Sequence, residues 1–286
     1  MGTSSSGSGP TGKTPLVPNW IVADTQQDNN TSTDQSINVP EINTINNPIP
    51  INDNSTGSPD RYLESRRRFN KYSKSTSSGT GQLRSALKSY VSKGSGGANT
   101  LTRRMKPSIS RIVQFQSIVN KIKEQGISDS LDSFNLDEYK DKPITDVLSA
   151  LTDIIFDISN PYNDIQDDSI TKLAYANTIN RIAEIPEIDL NTLSNENIEL
   201  MTAIFIEETI ATRVICDIGI KLFANLKDSK AIIEVEENTY QIVSGLVRNQ
   251  IMPEILATQR GSQQNVEKNI EKIYRIAFDC IADTNN

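Results

Sequence analysis

The first residues whose spacing could support chemistry are Gly7-Ser-Gly-Pro-Thr-Gly12-Lys13-Thr14, which match the G-x-x-x-x-G-K-[ST] pattern of a phosphate-binding loop. Such a loop holds nucleotide phosphates only when a buried strand precedes it and a helix begins directly after it. Here small polar residues precede the loop, and Pro15 and Pro18 follow it. Because these neighbours favour neither a strand nor a helix, the sequence predicts no nucleotide site and no cofactor.

The second reactive group is the N-terminus. The opening Met1-Gly2-Thr3-Ser4-Ser-Ser fits the N-myristoylation pattern, and a small second residue normally allows Met1 to be removed. The α-amine of Gly2 would then be an accessible nucleophile, because its pKa is about 8 and glycine has no side chain to crowd it. We therefore take Gly2 as a candidate modification site.

The composition excludes several kinds of catalysis. The chain has 286 residues and no histidine, so Ser-His and Cys-His nucleophile pairs cannot form. Cys216 and Cys280 fall inside apolar helical patterns, which favours small buried hydrophobic residues in a reducing compartment over a zinc site. The adjacent carboxylates Glu207 and Glu208 are expected to be solvated or paired with Arg213. We predict no catalytic residue and no metal site, and hence a protein that is not an enzyme.

The chain divides into three regions of different charge. Residues 1–60 have six acidic residues against Lys13, residues 61–123 have fifteen Lys and Arg against Glu64, and residues 124–286 have 29 acidic and 13 basic residues. The net charge of −7 therefore hides a strong internal separation of charge. We predict three regions with these bounds: a disordered tail, a basic helical segment and an acidic α-helical domain.

The predicted tail contains one apolar island. Seven of the twelve prolines and runs of polar residues lie in the tail, and such a segment buries too little apolar surface to fold by itself. The island, Pro15-Leu16-Val17-Pro18-Asn-Trp20, contains the only tryptophan of the chain. A lone aromatic residue in a polar tail is typical of a docking peptide. We therefore predict that Leu16, Val17, Pro18 and Trp20 bind a partner or the body of the chain.

Apolar residues recur at helical spacing through the rest of the chain, which predicts an all-α bundle. The expected helices span 61–75, 81–93, 100–123, a stretch from Pro143 that ends before Pro161, 169–184, 195–226, 231–259 with a kink at Pro253, and 263–283. No stretch approaches the roughly 20 apolar residues of a membrane span, and no apolar signal region follows Met1. We therefore expect a cytoplasmic protein without a membrane role.

The basic segment permits two interpretations. Its cations, with aromatic residues between them, could contact the phosphates of DNA or RNA. Alternatively, the segment lies against the acidic domain of the same chain or against an acidic partner, because its net charge of +14 faces one of −16. We favour the second interpretation, in which the partner-binding arginines are Arg66, Arg67, Arg68, Arg103 and Arg104.

Two stretches of the chain carry a resemblance to a known family. One is Met1-Gly-Thr-Ser-Ser-Ser-Gly followed by Pro15-Leu-Val-Pro-Asn-Trp20. The other comprises Arg68-Phe-Asn-Lys-Tyr72, Leu83-Arg-Ser-Ala-Leu87, Tyr90-Val-Ser-Lys-Gly-Ser-Gly-Gly97 and Arg103-Arg104-Met105. Together they resemble QatB, a family of components of the bacterial Qat anti-phage defence system. The resemblance covers about residues 1–123 by motif, and the remainder agrees in its helical character.

The resemblance implies a protein that acts with an ATPase, a QueC-like enzyme and a TatD-like nuclease. QueC-like enzymes act on 7-deazaguanine precursors with ATP, and in related defence systems such an enzyme is thought to join the base to a partner's N-terminal residue. It implies Gly2 as the substrate of the QueC-like partner, with Thr3 and Ser4 as its recognition context. The competing hypothesis is a nucleic-acid-binding adaptor that delivers the nuclease to phage DNA, and a third is a purely structural adaptor.

Overall fold

The computed structural model describes residues 61–74, 80–156, 165–223, 229–248 and 263–283. All regular elements within these ranges are helical, which confirms the predicted all-α class. The predicted disordered tail, residues 1–60, lies outside them. The α-helices are α1 (Leu63–Ser73), α2 (Thr80–Ser89), α3 (Ala98–Arg104), α4 (Lys106–Gln125), α5 (Ile127–Ser133), α6 (Ile144–Ala150), α7 (Thr152–Ile155), α8 (Ile165–Ala183), α9 (Asn195–Phe223), α10 (Ser229–Leu246) and α11 (Gln263–Asp283).

Several helices end at residues other than those predicted. The helix expected over 100–123 is two helices, because the backbone of Met105 leaves helical geometry between α3 and α4. Pro107 follows in the first turn of α4, where its missing amide hydrogen has no helical acceptor to lose. Helix α5 was not predicted. The kink expected at Pro253 lies outside the described residues.

The chain makes an unusual turn after α2. Residues Tyr90–Gly94 form a π-helical turn that continues α2 directly. The backbone then passes through Gly96 and Gly97, whose φ angles of 78° and 92° lie in the left-handed region that favours glycine. Gly94 itself is pressed against a tyrosine ring, because a Cβ atom at this position would lie 2.5 Å from Cδ1 of Tyr62. The turn therefore brings the start of α1 and the end of α2 together.

Helix α9 forms the centre of the bundle, as its apolar pattern on nearly every side suggests. Each residue from Met201 to Val214 is buried. Helices α8, α10, α4 and α1 pack against α9, whereas α11 packs on α2, α3 and α4. One hydrophobic core consequently joins the helices of residues 61–123 with those that follow them. The division of the chain into three regions stays a prediction drawn from charge.

Candidate partner-binding surface

The predicted site residues fall into two groups. Those of the tail lie outside the described residues, and they are Gly2, Thr3, Ser4, Leu16, Val17, Pro18 and Trp20. The five arginines Arg66, Arg67, Arg68, Arg103 and Arg104 are described, and the structure does not bring them together on one face. Their surroundings differ from one arginine to the next.

A tightly held tyrosine lies directly before α1. Tyr62, the residue before α1, is buried, and its ring stacks on Tyr90 with the ring centroids 5.5 Å apart. Both hydroxyl groups donate a hydrogen bond of 2.8 Å to Oδ2 of Asp217, which lies on α9. Burial, and then the nearby carboxylate, raises the pKa of both tyrosines, so the hydroxyls remain protonated donors. The start of α1 is thus attached to the central helix.

Two arginines complete this arrangement, which we call the Asp217 cluster: Tyr62, Tyr90, Arg104, Arg213 and Asp217. Arg104 lies 3.3 Å from Asp217 and also donates a 2.6 Å hydrogen bond to Oη of Tyr62. Arg213, one turn before Asp217 on α9, lies 3.4 Å from the same carboxylate. Burial raises the pKa of Asp217, but the two guanidinium groups and the two tyrosine hydrogen bonds outweigh it and lower the pKa overall. Asp217 therefore attaches three parts of the basic segment to α9, at Tyr62, Tyr90 and Arg104.

The three arginines of α1 have separate environments. Arg67 is exposed, as is Lys71 one turn later. Arg68 is engaged within the fold, because its Nε donates to Glu64 at 2.9 Å and its Nη1 donates to Ser85 of α2 at 2.6 Å. The guanidinium of Arg66 lies 5.7 Å from the centre of the Tyr62 ring, within the range of a cation–π interaction. Of the three predicted arginines, Arg67 is the one most open to a partner.

Arg103 lies at a groove between α3 and α11. We call this the basic groove, since Arg103, Lys268, Lys272 and Arg275 line it, and all four are exposed. Its volume is about 670 Å³. The α11 cations were missed at the sequence level, because they belong to a region whose net charge is acidic. Their i, i+4, i+7 spacing, on the side of α11 away from its apolar residues, was the signal that could have found them.

Of the two alternatives expected for Glu207 and Glu208, solvation at the surface is wrong. Both are buried, and the guanidinium of Arg181 on α8 bridges them with two 2.7 Å hydrogen bonds, one to each carboxylate. Arg248 approaches Glu207 at 3.2 Å. The physical reason is that α8 packs alongside α9. The planar guanidinium group of Arg181 can therefore reach two adjacent carboxylates that do not face each other on their own helix.

The described residues also bear on the other candidate chemistry. Cys216 and Cys280 are free thiols and only partly buried, and burial raises the pKa of both, which disfavours the reactive thiolate. Within the described ranges, no group of three or more Cys, Asp or Glu residues could hold a metal ion. No helix there is long and apolar enough to cross a membrane.

Comparison with known proteins identifies the family. A family model described as the Qat anti-phage system associated protein QatB matches residues 96–281. The match covers α3 to α11, including Arg103, Arg104, Asp217 and the cations of the basic groove. The comparison with curated proteins and the comparison with solved structures find no match. The chain belongs to the QatB family, and it is a component of an anti-phage defence system.

Proposed function

We propose that the chain is a non-catalytic component of a bacterial anti-phage complex and acts in the cytoplasm by binding a QueC-like enzyme. The observation that supports this best is the attachment of α1. Tyr62 is fixed to Asp217 on the central helix, and Arg67 and Lys71 lie exposed within the next three turns. We call Arg67 and Lys71 the cationic face of α1. A partner that binds this face would lie close to the point in the sequence where the tail precedes α1. An ATPase and a TatD-like nuclease are the further proposed members of the complex.

The proposed chemistry is modification of the tail by that partner. The Gly2 amine is the nucleophile, with Thr3 and Ser4 beside it as recognition context. Leu16, Val17, Pro18 and Trp20 serve as the docking peptide, since an aromatic anchor in a partner's pocket commonly contributes about 2 kcal/mol or more to binding. In this arrangement the enzyme holds the chain at two places, the docking peptide and the cationic face of α1, while Gly2 enters its active site.

Intact mass tests the modification. We expect the mass of the full chain to increase when it is produced with an active QueC-like partner, and peptide mapping to place the added group on Gly2. Trp20→Ala should reduce the modified fraction, whereas Lys13→Ala should not, because the phosphate-loop match is expected to be accidental. An unchanged mass in the presence of a partner shown to be active would contradict the proposal.

Binding of the cationic face is tested separately. Arg67→Ala with Lys71→Ala removes two exposed cations and leaves the contacts of Arg68 to Glu64 and Ser85 in place. We expect this variant to lose at least tenfold in affinity for the QueC-like enzyme, measured by titration of the purified proteins. The matched control is Lys142→Ala with Lys172→Ala, two exposed cations on other elements. Equal affinities for both variants would remove α1 from the interface.

The alternative function is a nucleic-acid-binding adaptor that delivers the nuclease to phage DNA. The same α1 variant separates the two functions. If the face of α1 binds DNA, Arg67→Ala with Lys71→Ala should weaken DNA retention and leave complex formation unchanged. Under the proposal preferred here, the opposite pattern is expected, because Arg67 and Lys71 then contact the QueC-like enzyme rather than DNA.

A further inference from the structure

The basic groove between α3 and α11 has the charge pattern of a phosphate-binding site. Four exposed cations line it, Arg103 from α3 and Lys268, Lys272 and Arg275 from α11. One acidic residue, Glu271, lies among them. The groove therefore carries an excess of three positive charges on a chain whose net charge is −7. Such a concentration of one sign, against the sign of the whole molecule, marks a local attraction for anions.

The arrangement of the cations indicates an extended ligand. Lys268, Lys272 and Arg275 lie along one face of α11. The first and the last are seven residues apart, a distance of about 10 Å at 1.5 Å per residue. A single phosphate group would engage only part of this row, whereas successive phosphates of a strand can follow it. The described lining residues are polar or charged, with no aromatic or aliphatic side chain to anchor a protein. Interfaces with nucleic acid are more positively charged and more polar than those with proteins.

We propose that the basic groove binds the phosphate backbone of a nucleic-acid strand without reading its sequence. Arg103, Lys268, Lys272 and Arg275 contact successive phosphates. This site lies on α3 and α11 rather than on α1, and it does not depend on modification of Gly2. Loss of the groove would therefore leave the function proposed above intact, and failure of that function would leave the groove intact.

The test is fluorescence anisotropy of the full chain with a labelled 20-nucleotide oligothymidylate. Four phosphate contacts predict that raising the salt concentration from 50 to 200 mM weakens binding about 50-fold, since the slope for single strands is about −0.7 per contact. Lys272→Ala with Arg275→Ala should weaken binding at least tenfold at 50 mM salt and lower that slope by about 1.4. Lys142→Ala with Lys172→Ala, which removes two exposed cations that do not line the groove, should change the affinity less than twofold.

One further variant separates binding from loss of structure. Glu271→Gln removes the acidic group of the groove and should tighten binding two- to threefold, a gain that a damaged fold cannot produce. No binding by the wild-type chain at 50 mM salt, or equal affinities for the groove variant and its control, would overturn the proposal. Competition by poly-glutamate as effective as that by unlabelled oligonucleotide would also overturn it, in favour of an acidic protein ligand.

Discussion

The Asp217 cluster and the basic groove are reached by neighbouring residues of one chain, Arg104 and Arg103. Arg104 lies inside the fold, where a buried carboxylate and a tyrosine hydroxyl take up its donors. Arg103 is exposed, and it lines the basic groove together with the three cations of α11. The difference follows from helix geometry, since successive residues point about 100° apart around the axis. A pair of like charges in sequence can therefore supply one structural group and one group free for a ligand.

The largest expected effect comes from removing the carboxylate that unites the cluster. Asp217→Ala leaves two guanidinium groups and two tyrosine hydroxyls without their acceptor, so we expect the free energy of unfolding to fall by about 3 kcal/mol or more. Urea denaturation monitored by circular dichroism measures this loss. Asp279→Ala, an exposed acid on α11, is the control and should change stability by no more than about 0.5 kcal/mol. A loss below about 1 kcal/mol for Asp217→Ala would mean that the cluster is not a major support of the fold.

A smaller loss is expected from crowding the tyrosine stack. Gly94→Ala places a Cβ atom 2.5 Å from Cδ1 of Tyr62, so the ring must shift away from Asp217. We expect destabilisation of about 1–3 kcal/mol, the usual range for overpacking a buried site. Gly81→Ala is the matched control, because nothing lies within 4 Å of a Cβ atom there. It lies in α2, where alanine is the better helix former, so equal or higher stability is expected. If the two variants unfold at the same urea concentration, the close contact at Gly94 does not affect the free energy of unfolding.

The charge of Asp217 gives a pH dependence of known sign. Its pKa is lowered in the folded protein, so its stabilising contribution is present above the ordinary carboxyl pKa and is lost as the pH falls through the lower folded value. We expect the difference in unfolding free energy between the wild type and Asp217→Asn to be constant from pH 7 to about pH 5 and to narrow below about pH 4. Other carboxylates titrate in both proteins and cancel in the difference. A gap that stays the same down to pH 3 would contradict the assignment.

The smallest effect on stability is expected from a substitution in the basic groove. Arg103→Ala removes an exposed side chain that makes a long 3.5 Å hydrogen bond to Thr100. We expect the free energy of unfolding to change by no more than about 0.5 kcal/mol. Arg104→Ala should cost several times as much, because it removes a charge from the Asp217 cluster. Thermal and urea unfolding of the two single variants, measured side by side, compare the neighbours directly, and equal losses would show that exposure does not separate them.

The sequence was a good guide to the class of fold and a poor guide to its pairings. Helical periodicity depends on residues three and four positions apart, so it revealed α9 and α11 with nearly their observed bounds. Met105 carried no such signal, because an apolar residue there fits a continuous helix as well as a break. Asp217 meets Tyr62 across 155 positions, and no local pattern encodes such a contact. Tertiary packing decides it.

The charge pattern misled in two places for the same reason. Regional sums placed all the useful cations in residues 61–123, although Lys268, Lys272 and Arg275 lie in the acidic remainder. Glu207 and Glu208 looked like surface acids, although they are buried beside Arg181 of the neighbouring helix. Net charge averages over a region, whereas a site depends on the few groups that a fold brings within hydrogen-bonding distance.

The position of Asp217 along the chain has a consequence for the order of synthesis. Tyr62, Tyr90 and Arg104 leave the ribosome well before Asp217, which all three contact. Their hydrogen bonds and ion pair to α9 therefore cannot form until α9 has been synthesised. Contacts this distant in sequence form slowly, since a long loop must close before they stabilise anything. Throughout that interval Tyr62, Tyr90 and Arg104 lack the carboxylate that they contact in the finished fold. The hydrogen bonds of Tyr62 and Tyr90 to Asp217 therefore belong to the last stages of folding, after residue 217 has left the ribosome.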